Sequence, residues 1–270
     1  MKALVSKIKV YARLLRAITV NTFQTETAYF GNNWGNIAST VIYVVVQILF
    51  VNVIYSRVNT FAGYDKNEMY FLLLIGQFSF YLIWGLGEIN NRILIEDIRR
   101  GALDFLLILP VPSLWFATFR KIPLLTITRD GLPNLILIAY LINWSTLSLT
   151  LSHLILGIII FILGQMAWIS FNFLMVLPVF WTGEAKNIYS MTYNLRDNNQ
   201  IPWEGYRPGF QFSLSVFIPT LLLSSIPASV MLGKASALYL LPFTFLIALM
   251  FILIKRWLWS LALRNYTSAS

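Results

Sequence analysis

Residues 88–121 read EINNRILIEDIRRGALDFLLILPVPSLWFATFRK, a charged stretch between two long apolar runs. Arg92, Arg99, Arg100, Arg120 and Lys121 are interspersed with Glu88, Glu96, Asp97 and Asp104. Arg100-Gly101 is a turn signal, and Pro110 and Pro112 interrupt the chain again. Between those breaks lies a short amphipathic block, 102–109, with the single acid Asp104. A charged, helix-forming, twice-interrupted segment between hydrophobic spans is an elbow at a membrane surface. It is either a solvated loop or a docking surface for a soluble partner.

Composition sets the class around this elbow. Of 270 residues, 58% are hydrophobic and 11% charged, with mean hydropathy +0.70, against about 25% charged in soluble domains. Such a chain cannot cover itself with polar surface, so it is an integral membrane protein. The absence of cysteine excludes disulfides, thiolate metal sites and cysteine nucleophiles. The net charge of +9 is first a topology signal.

At the N-terminus, Lys7, Lys9, Arg13 and Arg16 interrupt any signal-peptide core. Leu4, Ile8, Tyr11, Leu15 and Ile18 recur at helical spacing, which predicts an amphipathic helix lying in the interface. A turn over 31–36 then leads into the bilayer. The expected organisation is an interfacial segment, 1–36, and a six-helix transmembrane domain, 37–270, with the elbow at 88–121. Six spans are expected, each near the ~20 residues needed to cross the hydrocarbon core. They are 37–55, 69–87, a third ending near Leu149 and starting between Ile122 and Leu132, then 154–181, 212–232 and 237–254. Pro219 and Pro227 make the fifth the one expected to be broken or re-entrant near its outer end. With the N-terminus inside, segments 1–36, 88–132, 183–211 and 255–270 hold 17 of the 20 Lys and Arg. Both termini and the elbow are then cytoplasmic. The loop 183–211, with Pro202-Trp203-Glu204-Gly205-Tyr206, is expected on the same side and able to touch the same partner.

Catalytic patterns are sparse. No ionisable residue falls in the clear part of any expected span, which argues against ion-coupled transport. His153 is the single histidine and forms no metal cluster with its sequence neighbours. Gly233-Lys234-Ala235-Ser236 lacks the earlier glycine and the Ser/Thr after Lys of a phosphate loop. An alternative function, a membrane-embedded enzyme of lipid or polymer processing, would rest on Glu88, Asp130 and Glu184, none with an evident partner; a channel-like or purely structural partner is the third reading. The amides Gln47, Asn52, Gln77, Asn143, Gln165 and Asn172 lie within spans. They serve either as interhelical hydrogen bonds or as a cargo path, the first being favoured.

Three stretches resemble a known family. Residues 101–111, GALDFLLILPV, resemble the G-x-L-D-x-L-L-x-x-P-V stretch of ABC exporter permeases of the type 2 class. Ser224-Ser225-Ile226-Pro227-Ala228 resembles its proline-containing stretch before the last span, and residues 263–270, LRNYTSAS, resemble its terminal R-x-Y-S/T-S-A-S, with Asn265 where a second basic residue is expected. The resemblance implies an all-α membrane protein: an interfacial N-terminal helix, six transmembrane helices and a cytoplasmic coupling helix. It implies a multi-pass subunit of the bacterial inner membrane, paired with an identical or paralogous permease and two copies of an ATPase subunit that binds ATP and Mg. No cofactor is then expected in this chain. The resemblance names no cargo; the apolar, aromatic spans allow a hydrophobic or amphipathic one. Leu103, Asp104, Leu106 and Leu107 are implied to face the ATPase, framed by Gly101 and Pro110. In the residues' own terms, Leu103, Leu106 and Leu107 form an i, i+3, i+4 patch. Gly101 can end one helix in the left-handed conformation, and Asp104 sits at the positive end of the next.

Overall fold

The computed structural model describes residues 2–28, 34–183 and 201–266. Of the features expected above, 31–33 of the entry turn, Glu184, and residues 267–270 of the tail lie outside the described residues. Those described are helical, apart from loops and one isolated bridge between Phe61 and Tyr64.

Helix α1 is Lys2–Ala28 and α2 is Trp34–Tyr55. Residues 34–36, expected in the turn, already belong to α2. Helix α3, Lys66–Ile83, starts at a capping box: Asp65 accepts from the Glu68 N–H while Glu68 accepts from the Asp65 N–H, both at 2.8 Å. It runs through a π-helical turn, Trp84–Glu88, into α4, Ile89–Arg99. The continuous rod Lys66–Arg99 has 34 residues and is about 51 Å long. It overshoots the ~30 Å hydrocarbon core, so the first third of the elbow is the projecting end of the second span.

The chain turns at Gly101, whose φ of +68° is the left-handed conformation expected there. Two short helices follow, α5 (Leu103–Leu107) and α6 (Ser113–Phe119). Helix α7, Leu124–Leu141, is the third span; it ends earlier than expected. Helix α8, Leu151–Leu174, leads through turns to α9, Val179–Thr182, and the last helix, α12, is Ala237–Asn265.

The 212–232 segment, expected as the fifth span, is not one continuous helix. Pro208 opens a helix α10, Pro208–Val216, and Ser225–Met231 forms α11, with irregular chain over 217–224. Pro219 falls in the break, and Pro227 in the first turn of α11, where its missing N–H costs no helical bond. A side chain at Gly157 of α8 would meet Met231 and the Pro227 carbonyl; one at Gly164 would meet the Leu222 carbonyl. Seven residues of α8 separate those levels, so the hairpin turns back about 10 Å deep along the bundle. The break is thus in the middle of the segment and deep, rather than near its outer end. Leu221, Leu222, Leu223, Ser224, Ser225 and Ile226 are all 0% exposed. Irregular backbone at membrane depth is tolerated only when protein surrounds it. Here Gln165 donates to the Leu223 carbonyl at 3.1 Å, and the Ile226 N–H to that of Leu221 at 2.9 Å.

Five helical stretches are long and apolar enough to cross a membrane among the described residues: Gly35–Tyr55, Lys66–Arg99, Leu124–Leu141, Leu151–Thr182 and Ala237–Asn265. Their ends define two poles. At the elbow end lie α1, α4–α6, α9 and the last turns of α12. At the far end lie the loops around 56–65, 143–150 and 233–236. Trp203–Gly205 belongs to the far end: Glu204 accepts from Ser229, and Gly205 lies against Ala62. Gly183 borders a cavity with Ile98 and Arg99 at the elbow end. The expectation of one loop, 183–211, on the elbow side is therefore wrong, because its two described ends sit at opposite poles.

Candidate coupling site and intramembrane polar contacts

Helix α5 rests on a base built by several helices. Leu103 (0% exposed) and Leu106 (3%) insert among Leu94, Ala117, Phe173, Val176 and Trp259. The expected i, i+3, i+4 docking patch is thus divided: Leu103 and Leu106 pack inside this chain, and of the three only Leu107 is exposed. The outward face is instead Phe105, 74% exposed, and Ile108, 77%, continued by Leu109 and Pro110. A five-residue helix with apolar residues at 103, 105, 106 and 107, and Ile108 just after it, carries two stripes of equal spacing. Only the wall behind it decides which one is buried.

The base is also fastened by polar contacts. Trp259 Nε1 donates to Ser113 Oγ at 3.1 Å, and Arg120 forms an ion pair with Asp97. Asn90, 1% exposed, accepts from the Lys121 N–H at 2.7 Å and donates to the Lys121 carbonyl at 2.9 Å. The tail reaches this site: the Tyr266 ring meets Phe180 at 6.1 Å, and Phe180 meets Trp259 at 5.9 Å. Desolvation, aided by the Asp104 charge, raises the pKa of the Tyr266 hydroxyl. Two stretches that look alike to family motifs, 101–111 and the tail, therefore meet in space. Asp104 is half-buried in the first turn of α5.

Helix α1 fastens to the bundle through Ile18, Thr22 and Glu26, spaced i, i+4, i+8. Glu26 accepts from the N–H groups of Leu125 and Thr126, both at 3.1 Å, and from the Thr126 hydroxyl, capping α7 from another helix. Of the stripe read from the sequence, Tyr11 packs at a tilt against Trp115, with ring centroids 5.3 Å apart, while Leu15 is exposed.

The amides of the candidate cargo path point at neighbouring helices. Gln77 donates to Gln47 at 2.6 Å, and the Tyr70 hydroxyl to Asn52 at 3.1 Å, both joining α3 to α2. Ser79 donates to Gln165 at 3.0 Å and Asn91 to Asn172 at 3.3 Å, joining α3 and α4 to α8. Asn143 is not in a span but in the far-end loop, where Asn67 pairs with its N–H and carbonyl. Gln77, Gln165 and Asn172 are 7% exposed or less. These side chains hold helices together, which is the interhelical reading.

The helices do contain ionisable groups. Helix α7 begins early enough to include Arg129 and Asp130, which form a two-point ion pair at 2.6 and 3.0 Å. Helix α12 continues past the expected end through Lys255, which lies over the Phe173 ring at 5.1 Å and donates to Thr118 at 3.3 Å. The first follows from a third span that starts early in the range left open for it, the second from a last helix that runs past its expected end. Among the described residues no group of His, Cys, Asp or Glu could hold a metal.

A family model described as ABC-2 family transporter protein matches residues 41–270, most of the chain. No curated protein and no solved structure matches it. With several apolar membrane-length helices and this match, the chain is a multi-pass membrane protein belonging to the ABC-2 transporter family, and it is a permease component.

Proposed function

We propose that this chain is the membrane subunit of an ATP-driven exporter that moves a hydrophobic or amphipathic cargo. It has no ATPase site of its own; two copies of a separate ATPase subunit bind ATP and Mg. A second permease, identical or paralogous, completes the pathway in a bacterial inner membrane. The elbow end is cytoplasmic in this reading. Moving Arg207 to the far end, and setting aside Lys186 and Arg196, leaves 14 basic residues at the elbow end and four at the far end. Of the three acids named for the embedded-enzyme alternative, Asp130 is paired with Arg129, which speaks against that reading.

The observation that carries the proposal is the exposed apolar tip of α5, Phe105 and Ile108, mounted on a base of buried side chains. A mounted apolar tip at the polar end of a membrane protein suits insertion into a soluble partner. Motion of the ATPase pair then passes through α5 and α6 to the rod Lys66–Arg99. The test replaces Phe105 and Ile108 with Glu in full-length protein. It should extract and migrate as wild type, yet lose ATPase co-purification in mild detergent and lose export. Leu106→Glu should instead fail to accumulate, because it buries an unpaired charge inside this chain. Wild-type ATPase binding by the Phe105→Glu/Ile108→Glu protein would overturn α5 as the docking element.

A further inference from the structure

Helix α1 meets the bundle across a polar gap rather than a dry seam. A cavity of about 330 Å³ lies between α1, the start of α4 and the start of α7. Thr22, Glu26, Lys121, Thr126 and Arg129 supply its polar wall, and Ile89 and Pro123 its apolar one. Apolar cavities stay empty, whereas polar ones of this size are filled by water or ligand. Its depth is that of α1, an interfacial helix, so lipid headgroups reach it.

We propose that this cavity is a phospholipid headgroup site that takes the phosphate diester of a membrane lipid. Lys121 is the primary contact. Its backbone is fixed on both sides by Asn90, while its ammonium has no acidic partner among the described residues. Arg129 spends two of its five donors on Asp130 and lines the cavity with the rest. Of the acids facing the site, Glu26 lines the cavity, caps the N-terminus of α7 and lies near Arg129, and Asp130 pairs with Arg129. Basic pockets between membrane helices near the surface are recurrent headgroup sites, and the apolar wall of Ile89 and Pro123 accommodates the glycerol and first acyl carbons. A lipid held there cements α1 to α7, so its occupancy sets how firmly the interfacial helix is attached.

The test uses full-length protein in detergent, with thermal unfolding followed during titration of phosphatidylglycerol and, separately, inorganic phosphate. Wild type should be stabilised in a saturable way by the lipid and unaffected by millimolar phosphate. Lys121→Gln removes an exposed charge, leaves the Asn90 clamp intact, and should weaken the lipid response at least fivefold. Arg264→Gln, an exposed basic residue elsewhere at the same end, should leave it unchanged. An equal response from wild type and Lys121→Gln, or equal weakening by Arg264→Gln, would mean diffuse surface charge and overturn the site. Stabilisation by inorganic phosphate alone would assign the cavity to a soluble anion and overturn the lipid assignment.

Discussion

Gly164 is the position where the re-entrant hairpin touches α8 most closely, and an added methyl group measures that contact. A Cβ there would lie 1.9 Å from the Leu222 carbonyl oxygen, 2.7 Å from its carbon and 3.2 Å from Leu222 Cβ. The first two atoms are backbone, and the Leu222 residue is 0% exposed, so no rotamer change relieves the clash. Reaching ordinary contact requires a shift of more than about 1 Å of a packed loop, which in cores costs about 1–3 kcal/mol. The same shift pulls Leu223 away from Gln165 and forfeits an interhelical hydrogen bond worth about 0.6 kcal/mol. Gly164→Ala should therefore destabilise by about 2–4 kcal/mol, a fall in Tm on the order of 5–10 °C. Two other glycines calibrate the result. At Gly157 the nearest atom is Met231 Cγ at 2.3 Å, in a flexible side chain rather than backbone, although the Pro227 carbonyl lies at 3.2 Å, so alanine there should cost less than at Gly164. At Gly87 the nearest atom is Ile169 Cγ1 at 3.6 Å, so alanine should be close to neutral. The assay is thermal unfolding of the three variants in one detergent, with export measured alongside. A Gly164→Ala protein melting within a degree or two of Gly87→Ala would refute the close approach of Leu222 to α8, and with it the depth assigned to the hairpin.

The far end offers a second check. Lys234 forms an ion pair with Glu68 at 2.9 Å, donates to the Gly63 carbonyl at 2.8 Å and lies 4.8 Å from the Tyr64 ring centre. A double-mutant cycle of Lys234→Ala and Glu68→Ala should give a coupling of about 1 kcal/mol, the cycle removing the separate loss of the Asp65–Glu68 capping box. Burial, with Glu204 nearby, raises the Tyr64 hydroxyl pKa above its ordinary 10. That contribution is fully present below pH 10 and is lost as pH rises beyond it. Melting temperature should show no Tyr64-dependent change between pH 6 and 9, and the alkaline fall should be smaller in Tyr64→Phe. Export should survive an uncoupler at constant cellular ATP; its arrest under those conditions would favour ion coupling through the Arg129–Asp130 pair.

Much of this architecture was legible in local chemistry. Apolar runs of membrane length fix where α2, α3, α7, α8 and α12 lie, because the bilayer leaves the backbone few other options. Gly101 and Asp104 mark the turn and the start of α5, since left-handed backbone and helix N-termini select those residue types. Composition, the elbow and the tail motif pointed to the family that the chain belongs to. Pro219 also announced that the 212–232 stretch would break.

The remainder needed the tertiary structure. Hydropathy is a window average and carries no record of chain direction, so a re-entrant hairpin and a spanning helix look alike until Gly164 and Leu222 meet. The same blindness placed Trp203 at the wrong pole, because a polar, turn-rich sequence is compatible with either side of a bilayer. Window averages also stop at the first charge. They left the start of α7 open around Arg129 and Asp130, and missed that the second rod continues through α4 and that α12 holds Lys255. In α5 the sequence offers two apolar stripes of equal helical spacing. The packing of Leu94, Phe173 and Trp259 against Leu103 and Leu106 buries one and leaves Phe105 and Ile108 outside. Periodicity names the residues that share a face, whereas only the neighbouring helices determine which face is turned inward.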